Sequence, residues 1–464
     1  MRLTPWSLRE QRRRSYFGTL DAAQLLLLSF AGLIAVGTAG LLLLPGLYTG
    51  PDLGFVDALF TATSAVCVTG LIVVDTATYF TPLGQAWIAL LIQLGGLGIL
   101  TFTTLVIQLL GRRTSLEAGE AAGGEASIVS HLDPLKLVRA VVASALAVEA
   151  IGAVLLWWGW SGEMGAAGAV WPAVFHAISA FCNAGFSVFS DSLAGHRGAA
   201  LPVLTVSGLV IVGGIGFVVL TDLWAWRRRE DVRRLSTHTQ LVLWSTALLL
   251  IGGTALYASF EWQNTLAGMS LPDRLVNGWF MSVTPRTAGF NTVDYSALTN
   301  PSLFLTIVLM VIGGSPGSAA GGLKTTTVAL LGLLLWSRLR GRENVSIFGR
   351  TVPGETIQRA AGLTIGGIAI LAAGVFALAL TEFPAQGVAD RVSFLSVIFE
   401  AHSAFGTVGL SMGATSELTT AGRIVVTVLM FLGRLGPLAV VSAMAAGSSR
   451  SARFRYATED VAIG

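Results

Sequence analysis

Four copies of one glycine-bearing stretch constrain this chain more than any other feature. The clearest is Ser403-Ala404-Phe405-Gly406-Thr407-Val408-Gly409-Leu410. Aligned on the glycine, the others are Ser64-Ala65-Val66-Cys67-Val68-Thr69-Gly70-Leu71, Ser179-Ala180-Phe181-Cys182-Asn183-Ala184-Gly185-Phe186 and Val283-Thr284-Pro285-Arg286-Thr287-Ala288-Gly289-Phe290. An aromatic precedes each glycine by ten residues, as Phe60, Phe175, Trp279 and Phe399. Common offsets mark an internal repeat, which dictates architecture before any local reading does. The glycines are 115, 104 and 120 residues apart, so the fold must use one turn four times in units of similar length.

Composition says where such units live. Of the 464 residues, 53% are hydrophobic and 12% charged, against roughly 25% charged in an ordinary soluble domain. Folding alone cannot hide that much apolar surface, so the expected solvent is a lipid bilayer. A net charge of +3 and a pI near 9.1 would suggest nucleic acid in a soluble protein. In a membrane protein the same arginines act as topology signals, and no nucleic-acid partner is expected. Cys67 and Cys182 occupy the same place in two copies, which fits small-residue packing and supplies neither a disulfide framework nor a zinc ligand set. The N-terminal arginines precede an apolar run of spanning length without a small-residue cleavage site, which reads as a first span and not a cleaved signal peptide.

Each unit is a span, a short apolar run, the glycine turn and a second span. In unit one, Ala22 to Leu44 is uncharged and meets the requirement of about 20 helical residues for a bilayer core. After the Gly- and Pro-rich loop Pro45 to Asp57, Ala58 to Val66 is too short to cross, and Leu83 to Leu110 is the second span. Unit two runs Ala140 to Trp160, Trp171 to Phe181, Leu201 to Leu220; unit three Leu241 to Phe260, Leu275 to Val283, Leu303 to Leu335; unit four Ala360 to Leu380, Val392 to Phe405, Ile424 to Ala446. The expected fold is an all-α polytopic membrane protein with eight transmembrane helices and four re-entrant half-helices in pseudo-fourfold arrangement. Its expected divisions are an N-terminus (1–20), units at 21–113, 114–229, 230–342 and 343–447, and a tail (448–464).

The cations set the orientation. Segments joining the units carry Arg112, Arg113, Lys136 and Arg139, then Arg227, Arg228, Arg229, Arg233 and Arg234, then Arg338, Arg340, Arg342, Arg350 and Arg359. The termini add Arg2, Arg9, Arg12, Arg13, Arg14, Arg450, Arg453 and Arg455. Loops around the short helices instead carry Asp52, Asp57, Asp75, Glu163, Asp191, Glu261, Asp273, Asp294, Glu382 and Asp390, with few cations such as Arg197, Arg274 and Arg391. Positive-inside reasoning puts both termini in the cytoplasm and all four turns toward the outside, where an acidic face concentrates cations.

Non-helical backbone at membrane depth is tolerated only where protein buries it or water lines it, so the turns are expected to meet at one aqueous axis. Glycine permits positive φ and lets carbonyl oxygens aim inward, replacing the hydration shell of a cation. The short helix before each turn presents its C-terminus there, the end of the dipole that favours positive charge, whereas a phosphate would want an N-terminus. The residues before the glycines, Val68-Thr69, Asn183-Ala184, Thr287-Ala288 and Thr407-Val408, include no acid. Divalent sites recruit carboxylates, so neutral carbonyls point to a monovalent ion with low dehydration cost, potassium before sodium.

The arrangement resembles the Trk/Ktr/HKT superfamily of potassium transporters over almost the whole chain. Ser403 to Gly413 (SAFGTVGLSMG), Gly313 to Thr327 (GGSPGSAAGGLKTTT), Gly433 to Pro437 (GRLGP) and Glu459 to Gly464 (EDVAIG) are most similar to the Ktr membrane subunit. The resemblance implies a pseudo-tetrameric pore within one chain and a potassium filter of Val68, Thr69, Gly70, Asn183, Ala184, Gly185, Thr287, Ala288, Gly289, Thr407, Val408 and Gly409. All four filter glycines are present, unlike family members with serine in the first filter, which lean toward sodium. Asn183, where threonine is commoner, and the third copy with Pro285 and Arg286 depart from the pattern. It further implies a homodimer to which the tail Tyr456 to Gly464 contributes, and a separate cytosolic nucleotide-binding ring as regulator. The transported ion would be potassium, with sodium as activating or coupled ion, and no organic cofactor.

Residues 313–327 should break the helix they interrupt, because Gly313, Gly314, Pro316, Gly317, Gly321 and Gly322 crowd one segment. With Ser315 and Lys324 they are read as a gating loop beneath the filter, the use the family makes of it. A phosphate cradle is excluded because Leu323 separates Gly322 from Lys324. Arg434 stands in the last span, where a charge facing lipid costs at least ~2.5 kcal/mol, so it is expected to face the pore or a polar partner; the resemblance implies a place near the pore below the filter, as an electrostatic barrier or an anchor of the gating loop. Glu149 reads as a packing or hydrogen-bonding group, and His176, His402 and Glu400 as filter support. A secondary transporter with broken helices would show inverted repeats, whereas these run in one direction. An intramembrane enzyme would need a paired nucleophile and base, or a metal-ligand motif, that the spacing does not supply.

Overall fold

The computed structural model describes residues 22–118, 134–228, 234–383 and 393–436. Unit one contains α1 (Ala22–Leu43), α2 (Phe55–Val66) and α3 (Pro82–Ala118). Unit two contains α4 (Pro134–Gly168), α5 (Val170–Phe181), α6 (Ala200–Ile215) and α7 (Phe217–Arg228). Unit three contains α8 (Thr237–Glu261), α9 (Leu271–Val283), α10 (Asn300–Val311) and α11 (Thr325–Leu339), and unit four α12 (Gly354–Glu382), α13 (Phe394–Gly406) and α14 (Thr420–Leu435). A two-stranded hairpin, Ser346–Ile347 with Arg350–Thr351, joins units three and four.

Local chemistry sets these boundaries. Ser236, Ser270, Ser393 and Thr419 cap α8, α9, α13 and α14, each accepting a backbone N–H of the first turn through its hydroxyl oxygen. Gly216, at φ 96°, ends α6 and turns the chain by 96° into α7. Residues 312–324 separate α10 from α11, as the density of glycine there predicts.

The short helices form the interior. In α2, Ala58 and every residue from Phe60 to Val66 are buried, and α5 and α13 show the same pattern. The long helices bury much less: the most apolar windows of α8 and α12 are 28% and 22% buried, with apolar residues on the remaining faces. Helices apolar all round yet mostly uncovered require lipid as their outer solvent, so the protein crosses the membrane several times. Among the described residues five helices are long and apolar enough to span, and six if α6 and α7 count as one. The expectation of eight differs because unit three's second span is split by its loop, and because α14 ends at Leu435 while residues 437–446 of the expected last span lie outside the described residues.

Every short helix packs on the second long helix of the preceding unit: α5 on α3, α9 on α6, α13 on α10, and α2 back on α14. The units therefore close a circle in chain order. Asp57 at the start of α2 and Arg423 in α14 clasp the last joint with an ion pair at 2.7 Å.

Candidate functional site

The four turns share one backbone conformation. Two residues before each glycine, Val68 (φ 56°), Asn183 (φ 60°), Thr287 (φ 67°) and Thr407 (φ 50°) are left-handed, and the glycines Gly70, Gly185, Gly289 and Gly409 have φ 90°, 71°, 76° and 92°. Three of the left-handed residues are β-branched, where that conformation is strained and persists only if its surroundings impose it. Hydrogen bonds from the preceding helix do so. Thr69, Ala184 and Val408 N–H groups donate to the Ser64, Ser179 and Ser403 carbonyls at 2.8, 2.7 and 2.8 Å. The Ser64 and Ser179 hydroxyls donate to the Leu71 and Phe186 carbonyls at 2.7 and 2.8 Å.

The third turn corrects the glycine-based alignment. Its hydroxyl is Thr284, which donates to the Phe290 carbonyl at 2.5 Å, and the buried aromatic is Phe280, fully enclosed like Phe60, Phe175 and Phe399, while Trp279 is only half-buried. Pro285 and Arg286 thus span the distance that three residues cover elsewhere, and the Ala288 N–H reaches the Thr284 carbonyl one residue sooner, at 3.0 Å. The signal was present in the sequence: aromatic and hydroxyl are four residues apart in all copies once Phe280 and Thr284 are paired.

The turns form a ring. A Cβ added to Gly185 would lie 2.9 Å from both the Ala288 oxygen and Gly289 Cα. On Gly70 it would strike the Ala184 oxygen, on Gly289 the Val408 oxygen, and on Gly409 the Thr69 oxygen, with the next unit's glycine Cα at 3.0, 3.1 and 3.0 Å respectively. The glycines are thus each other's neighbours in chain order, and no side chain fits between them. The Asn183 amide donates to the Ala180 and Phe181 carbonyls of its own helix at 3.2 and 3.3 Å and to the Val210 carbonyl of α6 at 3.3 Å in the orientation that satisfies both amide atoms, so this departure leaves the ring's backbone unaltered.

On the side of the residues that follow the glycines lies a cavity of about 390 Å³, lined by all four glycines and by Asp75, Asp191 and Asp294. Of these, Asp75 accepts the Ser190 hydroxyl at 2.6 Å and Asp294 the Ser296 N–H at 2.8 Å, and acids outside the lining are also tied up in structural bonds. Glu261 accepts the Thr299 N–H at 2.9 Å and hydroxyl at 2.7 Å, Glu382 accepts the Thr419 hydroxyl at 2.8 Å, and Glu163 meets His196 at 3.1 Å.

Facing the residues that precede the glycines is the loop 312–324, where Gly321 lies against the Thr407 hydroxyl. It is stitched to the bend of unit two: Ser315 and Ala319 N–H groups donate to the Gly214 and Gly213 carbonyls at 2.9 and 3.1 Å, and the Phe217 N–H to the Gly317 carbonyl at 3.0 Å. Its base closes through Gly313 N–H to Leu323 carbonyl at 2.8 Å and Thr325 N–H to Gly314 carbonyl at 3.1 Å. Gly322 contributes a left-handed backbone at φ 64°. Two cations hold adjacent carbonyls at its crest: Lys324 Nζ donates to Ala320 at 2.6 Å, and Arg434 Nη1 to Ala319. Arg434 is 4% exposed and its Nε and Nη2 have no partner among the described residues. Arg286, also buried, reaches the Thr246 hydroxyl at 3.5 Å, and its Nε has no partner among the described residues.

Glu149 is bridged by Gln93 Nε2 at 3.0 and 2.9 Å, a contact between α4 and α3. His176 and Glu400 touch the chain just beyond the second and fourth turns, at Ser187 and Ser411, whereas His402 bonds within its own helix to the Ile398 carbonyl. Among the described residues no three His, Cys, Asp or Glu side chains converge as metal ligands. Pro437, the N-terminal arginines and the tail Tyr456 to Gly464 lie outside the described residues.

A family model described as a cation transport protein, TrkH, matches residues 5–452. The chain is 37% identical to the potassium/sodium uptake protein NtpJ of Enterococcus hirae over 96% of its own length and 98% of the relative's. It is 40% identical to the Ktr system potassium uptake protein B of Vibrio alginolyticus over 91% of each chain, and 38% identical to that of Bacillus subtilis over 95% and 96%. Its fold is similar to the crystal structure of the potassium transporter TrkH from Vibrio parahaemolyticus, with TM-score 0.72 and 19% identity over 91% of this chain and 84% of that one.

Proposed function

This chain belongs to the TrkH family of cation transport proteins, and on that premise we propose that it conducts potassium into the cell through the ring of four glycine turns. The observation that carries the reading is the ring itself: four left-handed turns whose glycines, with no side chain between them, close on one another among neutral carbonyls. Such a site replaces the hydration shell of a weakly hydrated monovalent cation and offers no carboxylate to a divalent one. The relatives named as potassium uptake proteins support the same ion. Residues 68–70, 183–185, 287–289 and 407–409 form the filter, in a pseudo-fourfold pore of eight spans and four re-entrant helices with both termini in the cytoplasm.

The loop of residues 312–324 is the gate. Gly313, Gly314, Ser315, Gly317, Gly321 and Gly322 give it a mobile backbone, and Lys324 and Arg434 hold it across the pathway by its Ala319 and Ala320 carbonyls. Ions leaving the filter meet these two cations, so the closed state is both a plug and an electrostatic barrier. Opening requires both bonds to break together, work we assign to a cytosolic nucleotide-binding ring docking on the arginine-rich inner face of a homodimer. The protein acts as a conduit in the cell membrane and performs no covalent chemistry.

The test is flux of potassium, rubidium and sodium through the purified chain in liposomes, with and without a candidate ring. Potassium and rubidium flux exceeding sodium flux, and rising with the ring, is expected; no potassium conductance under either condition overturns the reading. Sodium as a coupled or activating ion, suggested by the potassium/sodium name of the Enterococcus relative, would appear as potassium flux that depends on sodium.

A further inference from the structure

The four units hold their turns in two different ways, and the difference alternates around the ring. In unit two, His176 lies inside α5, fully buried, with Nδ1 2.8 Å from the Pro172 carbonyl. That carbonyl can only accept, so Nδ1 carries the proton and, in the neutral ring, Nε2 is left to accept from the Ser187 hydroxyl at 2.9 Å. The Ser187 oxygen in turn receives the Phe189 N–H at 2.9 Å. Phe189 stacks on His176 with centroids 4.8 Å apart and packs edge-on against Trp160, so the imidazole cannot swing away.

Unit four repeats the device with different chemistry. Glu400, fully buried in α13, accepts the Ser411 hydroxyl and, at 2.8 Å, the Thr415 hydroxyl, while the Ser411 oxygen receives the Gly413 N–H at 2.9 Å. Both serines stand two residues after the ring glycine, both clamping groups nine residues before it, and both N–H donors four after it. Unit one has Thr61 and Ile72 at the clamp positions, and the Thr61 hydroxyl has no partner among the described residues. Unit three has Asn291 at the serine position, and its N–H turns sideways to the Ser192 hydroxyl of unit two at 3.2 Å.

Because the ring runs in chain order, units two and four face each other across it. We propose that the outer end of the ring is clamped along this one diagonal, by His176 on Ser187 and Glu400 on Ser411, and that these two pairs are positioning residues for cation discrimination, while units one and three carry no such strut from their own short helix to the residue two after the glycine. A buried hydrogen-bonded strut fixes where the chain leaves each turn, and so fixes the carbonyls two residues upstream. Without it, the ring can shrink around a smaller ion. The inference rests on reading the ring as the filter and adds that its rigidity is twofold, not fourfold.

The test compares potassium, rubidium and sodium flux in liposomes for the full-length chain and for Ser187→Ala, Ser411→Ala, Ser411→Thr and Thr61→Val. The two alanine variants are expected to raise sodium relative to potassium flux roughly fivefold, the scale of one lost hydrogen bond. Ser411→Thr, which keeps the hydroxyl, should restore the original ratio, and Thr61→Val should leave it unchanged. A merely structural role would lower thermal stability and total flux without moving the ratio. Ratios unchanged in both alanine variants, or moved as far by Thr61→Val, overturn the proposal. If one alanine variant does not purify as a folded protein, the other decides alone, since the clamps share no atoms. A parent chain that passes no potassium instead overturns the reading of the ring as a filter.

Discussion

At the scale of single residues, the site is built from backbone conformations that most side chains avoid. Val68, Thr287 and Thr407 are left-handed despite branched Cβ atoms, a state costing on the order of 1–3 kcal/mol each that only imposed geometry sustains. The glycines that follow meet a second restriction, since a Cβ would overlap the neighbouring unit's carbonyl. Gly409→Ala therefore suffers both strain at φ 92° and a clash with the Thr69 oxygen. Potassium flux in liposomes is expected to fall about tenfold or more, the effect of some 1.4 kcal/mol at one step, with the protein still folded by size-exclusion profile. Flux equal to that of the parent chain would mean that ions do not pass through this ring. These glycines were legible in the sequence because positive φ together with a neighbouring carbonyl where a Cβ would sit leaves one residue type. Phe280 and Thr284 were misaligned there because a one-residue deletion is invisible when copies are anchored on the glycine alone.

At the scale of elements, two broken helices matter more than the continuous ones. The bend between α6 and α7 frees the Gly213 and Gly214 carbonyls, and the loop between α10 and α11 uses them as acceptors, so each break satisfies polar groups of the other. That reciprocity explains how irregular backbone is held away from lipid. Arg434, in α14, is the tie from a third element, and it leaves Nε and Nη2 unpartnered among the described residues. Arg434→Ala removes that tie and a buried charge together. Potassium leak through the chain alone is expected to rise several-fold while the protein remains folded; unchanged flux, with and without a candidate cytosolic ring, would count against the loop as a gate. The density of glycine predicted the break in unit three. Unit two's second span, Leu201 to Leu220, looked continuous because Gly213, Gly214 and Gly216 are ordinary in a membrane helix. Its break depends on a partner a hundred residues away in sequence.

For the whole molecule, closure of the circle is the main structural fact. Each short helix leans on the preceding unit, and the first reaches the last through α2 on α14 and the Asp57–Arg423 pair. The pair's side chains are 27% and 22% exposed, so screening keeps its contribution to about 1 kcal/mol or less. Arg423→Ala should lower the thermal midpoint in detergent by a few degrees and leave ion selectivity intact; a collapse of the folded protein would show that the joint depends on the ion pair more than on helix packing. The sequence alone determined the solvent, the fourfold repeat and the chemistry of the turns, because hydropathy, period and the demand for glycine are properties of residue type and spacing. Only the tertiary structure decided that the four turns neighbour one another in chain order and that Lys324 and Arg434 grip consecutive carbonyls. It also decided that Glu400 and His176 act on serines eleven residues downstream. Those pairings depend on distances between chain segments, and a spacing along the chain carries no information about which segment lies across the axis.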